Sequence, residues 1–206
     1  APGLRSAEGE LPAPETLTDS NGGQLAMFAF GQGALTVTPL QIAAMMNAIA
    51  GDGTWYPPQL VAGIIEQESL TMLEPFVSAG PVRVCDADTA RILRSMLIDV
   101  VAEGIGRQAA PQAGGAGGKT GTAQTGQYTE AGEELLNYWF SGFWPAENPR
   151  YTITVLQDAV LEPEVSSAAI FAEVANNLLA LEGGAELQNQ PRPGMTIQTG
   201  ETAENG

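Results

Sequence analysis

Histidine is missing from all 206 residues, while cysteine and lysine occur once each, as Cys85 and Lys119. Without an imidazole there is no Ser-His-Asp or Cys-His catalysis and no histidine-rich metal site. A single thiol builds neither a disulfide framework nor a cysteine zinc cluster within the chain. Positive charge is scarce too: 8 Lys and Arg stand against 24 Asp and Glu, for a net charge of −16. Nucleic acid is therefore excluded as a partner, because phosphate neutralisation needs clustered cations. No apolar run approaches the ~18 to 20 residues that span a bilayer. The start, Ala1-Pro2-Gly3, has neither an initiator methionine nor a signal region, so the chain is expected to begin partway through a longer gene product. Any lysine chemistry has to run through Lys119.

What is present suits an ordinary globular domain. Hydrophobic residues make up 44% of the chain, enough to bury a core in one domain of this length. Residues 1 to 23 are rich in Pro, Gly, Glu and Ser and read as an irregular leading segment. A helix is expected from Thr38, with Thr38 as N-cap, Pro39 in the first position and Gln41 completing a capping box. Gly51 stops it, a position that suits the left-handed conformation. The prolines in Trp55 to Ile65 place that stretch at a sheet edge or before a strand. A second helix from about Asp86 to Ala102 carries an apolar stripe of Leu93, Met96, Leu97, Val100 and Val101. Residues 109 to 118 form a small-residue linker leading into Lys119.

Beyond Lys119 the periodicity changes. Lys119 to Gln124, Tyr138 to Trp144 and Tyr151 to Val160 are β-prone runs that predict an antiparallel meander. A third helix from about Glu164 to Leu181 presents Phe171, Val174, Leu178 and Leu181 on one face. Residues 183 to 206 read as a flexible polar tail. The expected fold class is α+β, helices packed on an antiparallel sheet, with the domain occupying residues 1 to 182.

The most informative stretch is Gly117-Gly118-Lys119-Thr120-Gly121-Thr122-Ala123-Gln124. Gly118-Lys119-Thr120 would end a phosphate-binding loop, but Ala113 stands where that loop needs glycine, and the strand before and helix after are absent. Alternatively, Lys119 lies on an exposed edge strand, where alternation puts Thr120, Thr122 and Gln124 on one face and Gly121 admits a ligand close to the backbone. Two hydroxyls and an amide beside a fixed cation suit a carboxylate-bearing, peptide-like ligand. Unpaired backbone N–H groups there would hold a developing oxyanion. Spacing alone leaves open a solvated lysine in a glycine-rich turn. Glu133-Glu134 and Glu66/Glu68 read as solvated charge runs, Cys85 as a small packed residue and Met45-Met46 as core. Trp139, Phe140, Phe143 and Trp144 read as strand residues packing both faces, with one able to border the groove.

Gly118 to Gln124 resembles the Lys-Thr-Gly motif of penicillin-binding protein transpeptidases. Phe30-Gly31-Gln32-Gly33 with Leu35 to Ala43 is similar to the segment before an active-site-wall helix in class B enzymes. Tyr138 to Ala146 with Asn148-Pro149-Arg150-Tyr151 is similar to the strand after the Lys-Thr-Gly strand. The resemblance covers roughly residues 24 to 182 and implies the penicillin-recognising fold shared with serine β-lactamases. It implies a D,D-transpeptidase acting on D-Ala-D-Ala stem peptides of peptidoglycan and on β-lactams, extracytoplasmic, membrane-anchored through sequence not in this chain, and needing no metal or cofactor. Lys119 would then be the cation supporting the nucleophile and substrate carboxylate, rather than a base. Thr120 and Thr122 would supply carboxylate-binding hydroxyls, the Thr122 N–H an oxyanion donor, and Gln124 part of the groove.

The family's Ser-x-x-Lys and Ser-x-Asn motifs are missing, since the only lysine has Ala116 three residues before it and no serine is followed two later by asparagine. The chain is expected to be the C-terminal part of a transpeptidase domain, inactive alone, whose partner is the upstream part of the same domain. The alternative is a non-catalytic interaction module or pseudo-enzyme of the same fold. A serine β-lactamase fits the Gly-Gln-Gly and Trp-Phe segments less well.

Overall fold

Pro39 fixes the backbone for a first helical turn, and Thr38 closes it: its hydroxyl accepts from the Gln41 N–H at 3.2 Å while the Gln41 side chain accepts from the Thr38 N–H at 2.8 Å. The expected capping box is thus in place at the head of a central helix. The computed structural model of the chain describes residues 7–17, 22–77 and 79–186. Along it lie α1 (Gly23–Ala29), α2 (Pro39–Ala50), β1 (Thr54–Trp55), β2 (Gly63–Ile65), β3 (Met72–Pro75), β4 (Val82–Arg83), α3 (Ala87–Ala102), β5 (Gly117–Tyr128), β6 (Glu134–Trp144), β7 (Tyr151–Val160) and α4 (Ser167–Glu186).

The meander forms as expected: β5, β6 and β7 make one antiparallel sheet in that order, with Lys119 opposite Ser141 and Ser141 opposite Thr154. Helix α4 covers one face, where Phe140 and Phe171 rings meet at 4.8 Å above Trp144, Ala168 and Ala175. On the other, Phe143 is enclosed by Met46, Ala50, Leu97 and Ile98 of α2 and α3. These two apolar clusters, one on each face of the sheet, supply the burial that drives folding. Arg150 and Tyr151 both engage the Glu182 carboxylate at 2.8 Å, fastening α4 to the start of β7; the Glu182 hydrogen bond also raises the Tyr151 phenol above its ordinary pKa.

Several local expectations are corrected. Gly51 ends α2 with φ −82°; the left-handed residue is Gly53 (φ +87°), where a Cβ would sit 2.3 Å from the Cys85 carbonyl oxygen. The leading segment is not wholly irregular, since it holds a short 3-10 helix at Pro14–Leu17, and its Glu10 forms a β-bridge with Thr36. β2 and β3 form a hairpin, and β1 pairs with β4. On α3, Leu93 and Met96 are 37% and 58% exposed, and the buried line runs through Ala90, Leu97, Ile98 and Val101. The helix carries two adjacent apolar stripes, and Arg94 donates to the Ala50 carbonyl at the end of α2. Helix α4 starts at Ser167 rather than at 164: Ser166 accepts from the Ala169 N–H, as an N-cap does. Of its expected face, Phe171 and Leu178 pack in the core together with Ala168, Ala172 and Ala175, while Val174 (37% exposed) and Leu181 (71% exposed) turn outward. The helix continues to Glu186, four residues into the expected tail; positions 187–206 lie outside the described residues.

Candidate functional site

Gly117 and Gly118, expected to close a linker, are buried strand residues. A Cβ on Gly117 would lie 2.2 Å from Cζ of Phe143, and one on Gly118 would lie 2.6 Å from Cζ of Phe140. The two glycines therefore let aromatic rings of β6 pack directly against the β5 backbone. Upstream, Gly114 and Gly115 take left-handed φ, the Trp144 indole donates to the Ala113 carbonyl at 2.9 Å, and the Gln112 N–H donates to Asn176 of α4 at 2.7 Å. The run-in to Lys119 is thus pinned by β6 and by α4.

Lys119 is the third residue of a 12-residue strand. That placement excludes both the phosphate-binding loop, which needs a helix after the lysine, and the solvated lysine in a turn. β5 has β6 on one side and, among the described residues, no strand on the other. The Lys119 Nζ folds over this open edge, donating to the Thr120 carbonyl at 2.9 Å and the Thr120 hydroxyl at 3.3 Å. That carbonyl therefore points away from β6. In an antiparallel ladder the N–H and C=O of one residue point the same way and alternate along the strand. The N–H groups of Thr120 and Thr122 accordingly project from the open edge, while those of Lys119 and Gly121 bind β6.

Charge sharpens the picture. Arg83, Arg91 and Arg150 are paired with Asp52, Asp88 and Glu182, whereas among the described residues no carboxylate is within ion-pair distance of Lys119. An unpaired, exposed ammonium beside a hydroxyl and outward backbone donors is a site for a carboxylate or an oxyanion. Lys119, Thr120, Gly121 and Thr122 are brought together. Gln124 lies five residues from Lys119, about 17 Å along the strand, and its amide donates to Glu134 at 2.9 Å beside the β5–β6 turn. Glu134 is thereby a turn partner, and Glu66 likewise accepts from Ser69. Cys85 is half-buried against Gly53, and the methionine pair divides, Met46 in the core and Met45 exposed. Among the described residues no group of three His, Cys, Asp or Glu is placed to hold a metal, and no helix is long and apolar enough to cross a membrane.

Of the four strand aromatics singled out from the sequence, Phe140, Phe143 and Trp144 are buried, and half-buried Trp139 lies directly opposite Gly121. Composition had no means of separating them. Counting register back from the β5–β6 turn would have set Trp139 opposite Ala123; a bulge between Gln124 and Gln127 moves it opposite Gly121.

Comparison with known proteins bears on the family and the fold. A family model described as the penicillin binding protein transpeptidase domain matches residues 7–180. Penicillin-binding protein PbpB of Mycolicibacterium smegmatis is 36% identical over 194 residues, covering 86% of this chain and 29% of that protein. Stage V sporulation protein D of Bacillus subtilis is 32% identical, covering 80% of this chain and 25% of its own length. Among solved structures, apo penicillin binding protein 3 of Mycobacterium tuberculosis superposes with a TM-score of 0.72 at 30% identity, covering 86% of this chain and 42% of that one. Its complex with ampicillin superposes at 0.69 and 31% identity, covering 86% of this chain and 41% of that one. The chain thus spans under a third of the curated relatives named here and about two fifths of that solved chain. With an α+β core, a Lys-Thr-Gly edge strand and a family match over most of its length, the chain belongs to the penicillin-binding protein transpeptidase domain family.

Proposed function

We propose that this chain forms the carboxylate- and oxyanion-holding wall of a peptidoglycan D,D-transpeptidase whose serine nucleophile is supplied by a segment outside this sequence. The observation that carries the proposal is the open edge of β5, where an unpaired ammonium, a threonine hydroxyl and outward N–H groups converge. In this reading Lys119 and the hydroxyls of Thr120 and Thr122 bind the C-terminal carboxylate of a stem peptide or β-lactam. The serine oxygen attacks the penultimate D-alanine carbonyl, and the Thr122 N–H stabilises the developing oxyanion. The C–N bond then breaks, the terminal D-alanine leaves with a proton, and an amine acceptor resolves the acyl-enzyme. Gln124, two residues beyond Thr122 on the same strand, borders the groove where a longer stem peptide would pass. Gly121 keeps the edge free of a side chain between the two threonines. The site is extracytoplasmic, where peptidoglycan lies, and the whole protein is held at the membrane by sequence outside this chain.

The absent Ser-x-x-Lys favours one other reading, a pseudo-enzyme with the same fold. Fluorescent penicillin separates the two. This chain alone does not label, whereas the longer protein carrying it behind a Ser-x-x-Lys and Ser-x-Asn segment labels covalently and loses the label slowly. An unlabelled longer protein would establish the pseudo-enzyme, and rapid loss of label a β-lactamase.

A further inference from the structure

Trp139 is the strand aromatic whose placement packing does not account for. Phe140, Phe143 and Trp144 are fully enclosed, and the Trp144 indole both donates to Ala113 and stacks on Tyr151 at 5.8 Å. Trp139 is half-buried and, among the described residues, has no ring stack and no hydrogen-bond partner for its indole N–H. It occupies the row Gly121–Trp139–Leu156 across the three strands, on the same face of the sheet as the Lys119 side chain. A Cβ on Gly121 would meet Trp139 Cβ at 3.4 Å and Cδ1 at 4.0 Å, so the indole stands alongside a backbone that has no side chain. A ligand laid along the open edge would be the next member of that row. Strands are spaced about 4.8 Å apart, and with nothing on Gly121 to intervene, an indole spans that gap.

We propose that Trp139 is a specificity-determining residue of this site, an apolar platform reached over Gly121 for the substituent on the carbon that carries the ligand's carboxylate. The inference rests on the transpeptidase reading, in which Lys119, Thr120 and Thr122 fix that carboxylate. The adjoining carbon then lies over Gly121. In a stem peptide ending in D-alanine it carries a methyl group. In a penicillin it adjoins a geminal dimethyl group. A monobactam has a sulfonate on the ring nitrogen and no carbon in that place; the carboxylate and dimethyl carbon of aztreonam belong to its side chain, away from the ring nitrogen. Trp139 therefore favours ligands of the first two kinds over the third.

The test is the ratio of second-order acylation rates for benzylpenicillin and aztreonam, measured on the longer transpeptidase that carries this sequence. Trp139→Ala lowers the penicillin-to-aztreonam ratio about tenfold, the effect of leaving two methyl groups unburied. Trp139→Phe, which keeps an apolar ring, lowers it by less than about threefold. If Trp139→Ala depresses both rates together and the ratio does not move, Trp139 is only a packing residue and the platform is wrong. If the unsubstituted protein is acylated by neither compound, the transpeptidase reading falls and the platform with it.

Discussion

Lys119→Ala, made in the longer transpeptidase, lowers the rate of penicillin acylation by about 10²–10³, the range found when one preorganised donor to a developing charge is removed. The ammonium lies 2.9 Å from the Thr120 carbonyl and 3.3 Å from the Thr120 hydroxyl, so it acts on the ligand and on the group beside it. Charge-assisted hydrogen bonds are roughly twice as strong as neutral ones. Among the described residues, Arg83, Arg91 and Arg150 are committed to carboxylates and Arg94 to a backbone carbonyl. Lys119 is exposed, so its removal changes stability by no more than about 0.5 kcal/mol. Stopped-flow acylation alongside a thermal melt separates the two quantities. An unchanged rate would remove Lys119 from the site.

Glycines of one strand divide by the same logic. Gly117→Ala destabilises the protein by about 3 kcal/mol, at the upper end of what overpacking costs. The new methyl would approach the Phe143 ring at 2.2 and 2.8 Å, and that ring cannot retreat because Met46, Ala50, Leu97 and Ile98 enclose it. For a domain of this size the melting temperature falls by about 6–12 °C. Gly121→Ala meets only Trp139, at an ordinary 3.4 Å, and leaves the melting temperature nearly unchanged while lowering acylation. One glycine serves the core and the other the ligand. Equal melting temperatures for parent and Gly117→Ala would show that the aromatic packing against β5 is wrong.

Legibility followed the strength of local signals. The α2 capping box and the three meander strands are written in short-range chemistry, and the Lys-Thr-Gly edge strand announced itself through alternating hydroxyls. Gly117 and Gly118 misled because glycine ordinarily marks a loop; here it makes room for rings supplied by a strand some 25 residues later in the chain. The buried face of α3 was read only in part: Leu97 and Val101 were found, but Leu93 and Met96 are as apolar as Ile98, so periodicity did not separate the outward residues from the inward ones. Helix α4 packs through Phe171, which the apolar periodicity picked out, and also through Ala168, Ala172 and Ala175, which a search for large apolar residues passes over. Trp139 became distinct from its neighbours only when strand register placed it opposite Gly121.

The central claim is that the open edge of β5 holds the ligand's carboxylate and oxyanion. A crystal structure of the longer transpeptidase acylated by ampicillin tests it directly. The ligand carboxylate is expected within hydrogen-bonding distance of the Thr120 and Thr122 hydroxyls, beside Lys119 Nζ, with the acyl oxygen on the Thr122 N–H. An adduct whose carboxylate lies away from β5, or whose acyl oxygen points away from Thr122, would contradict it.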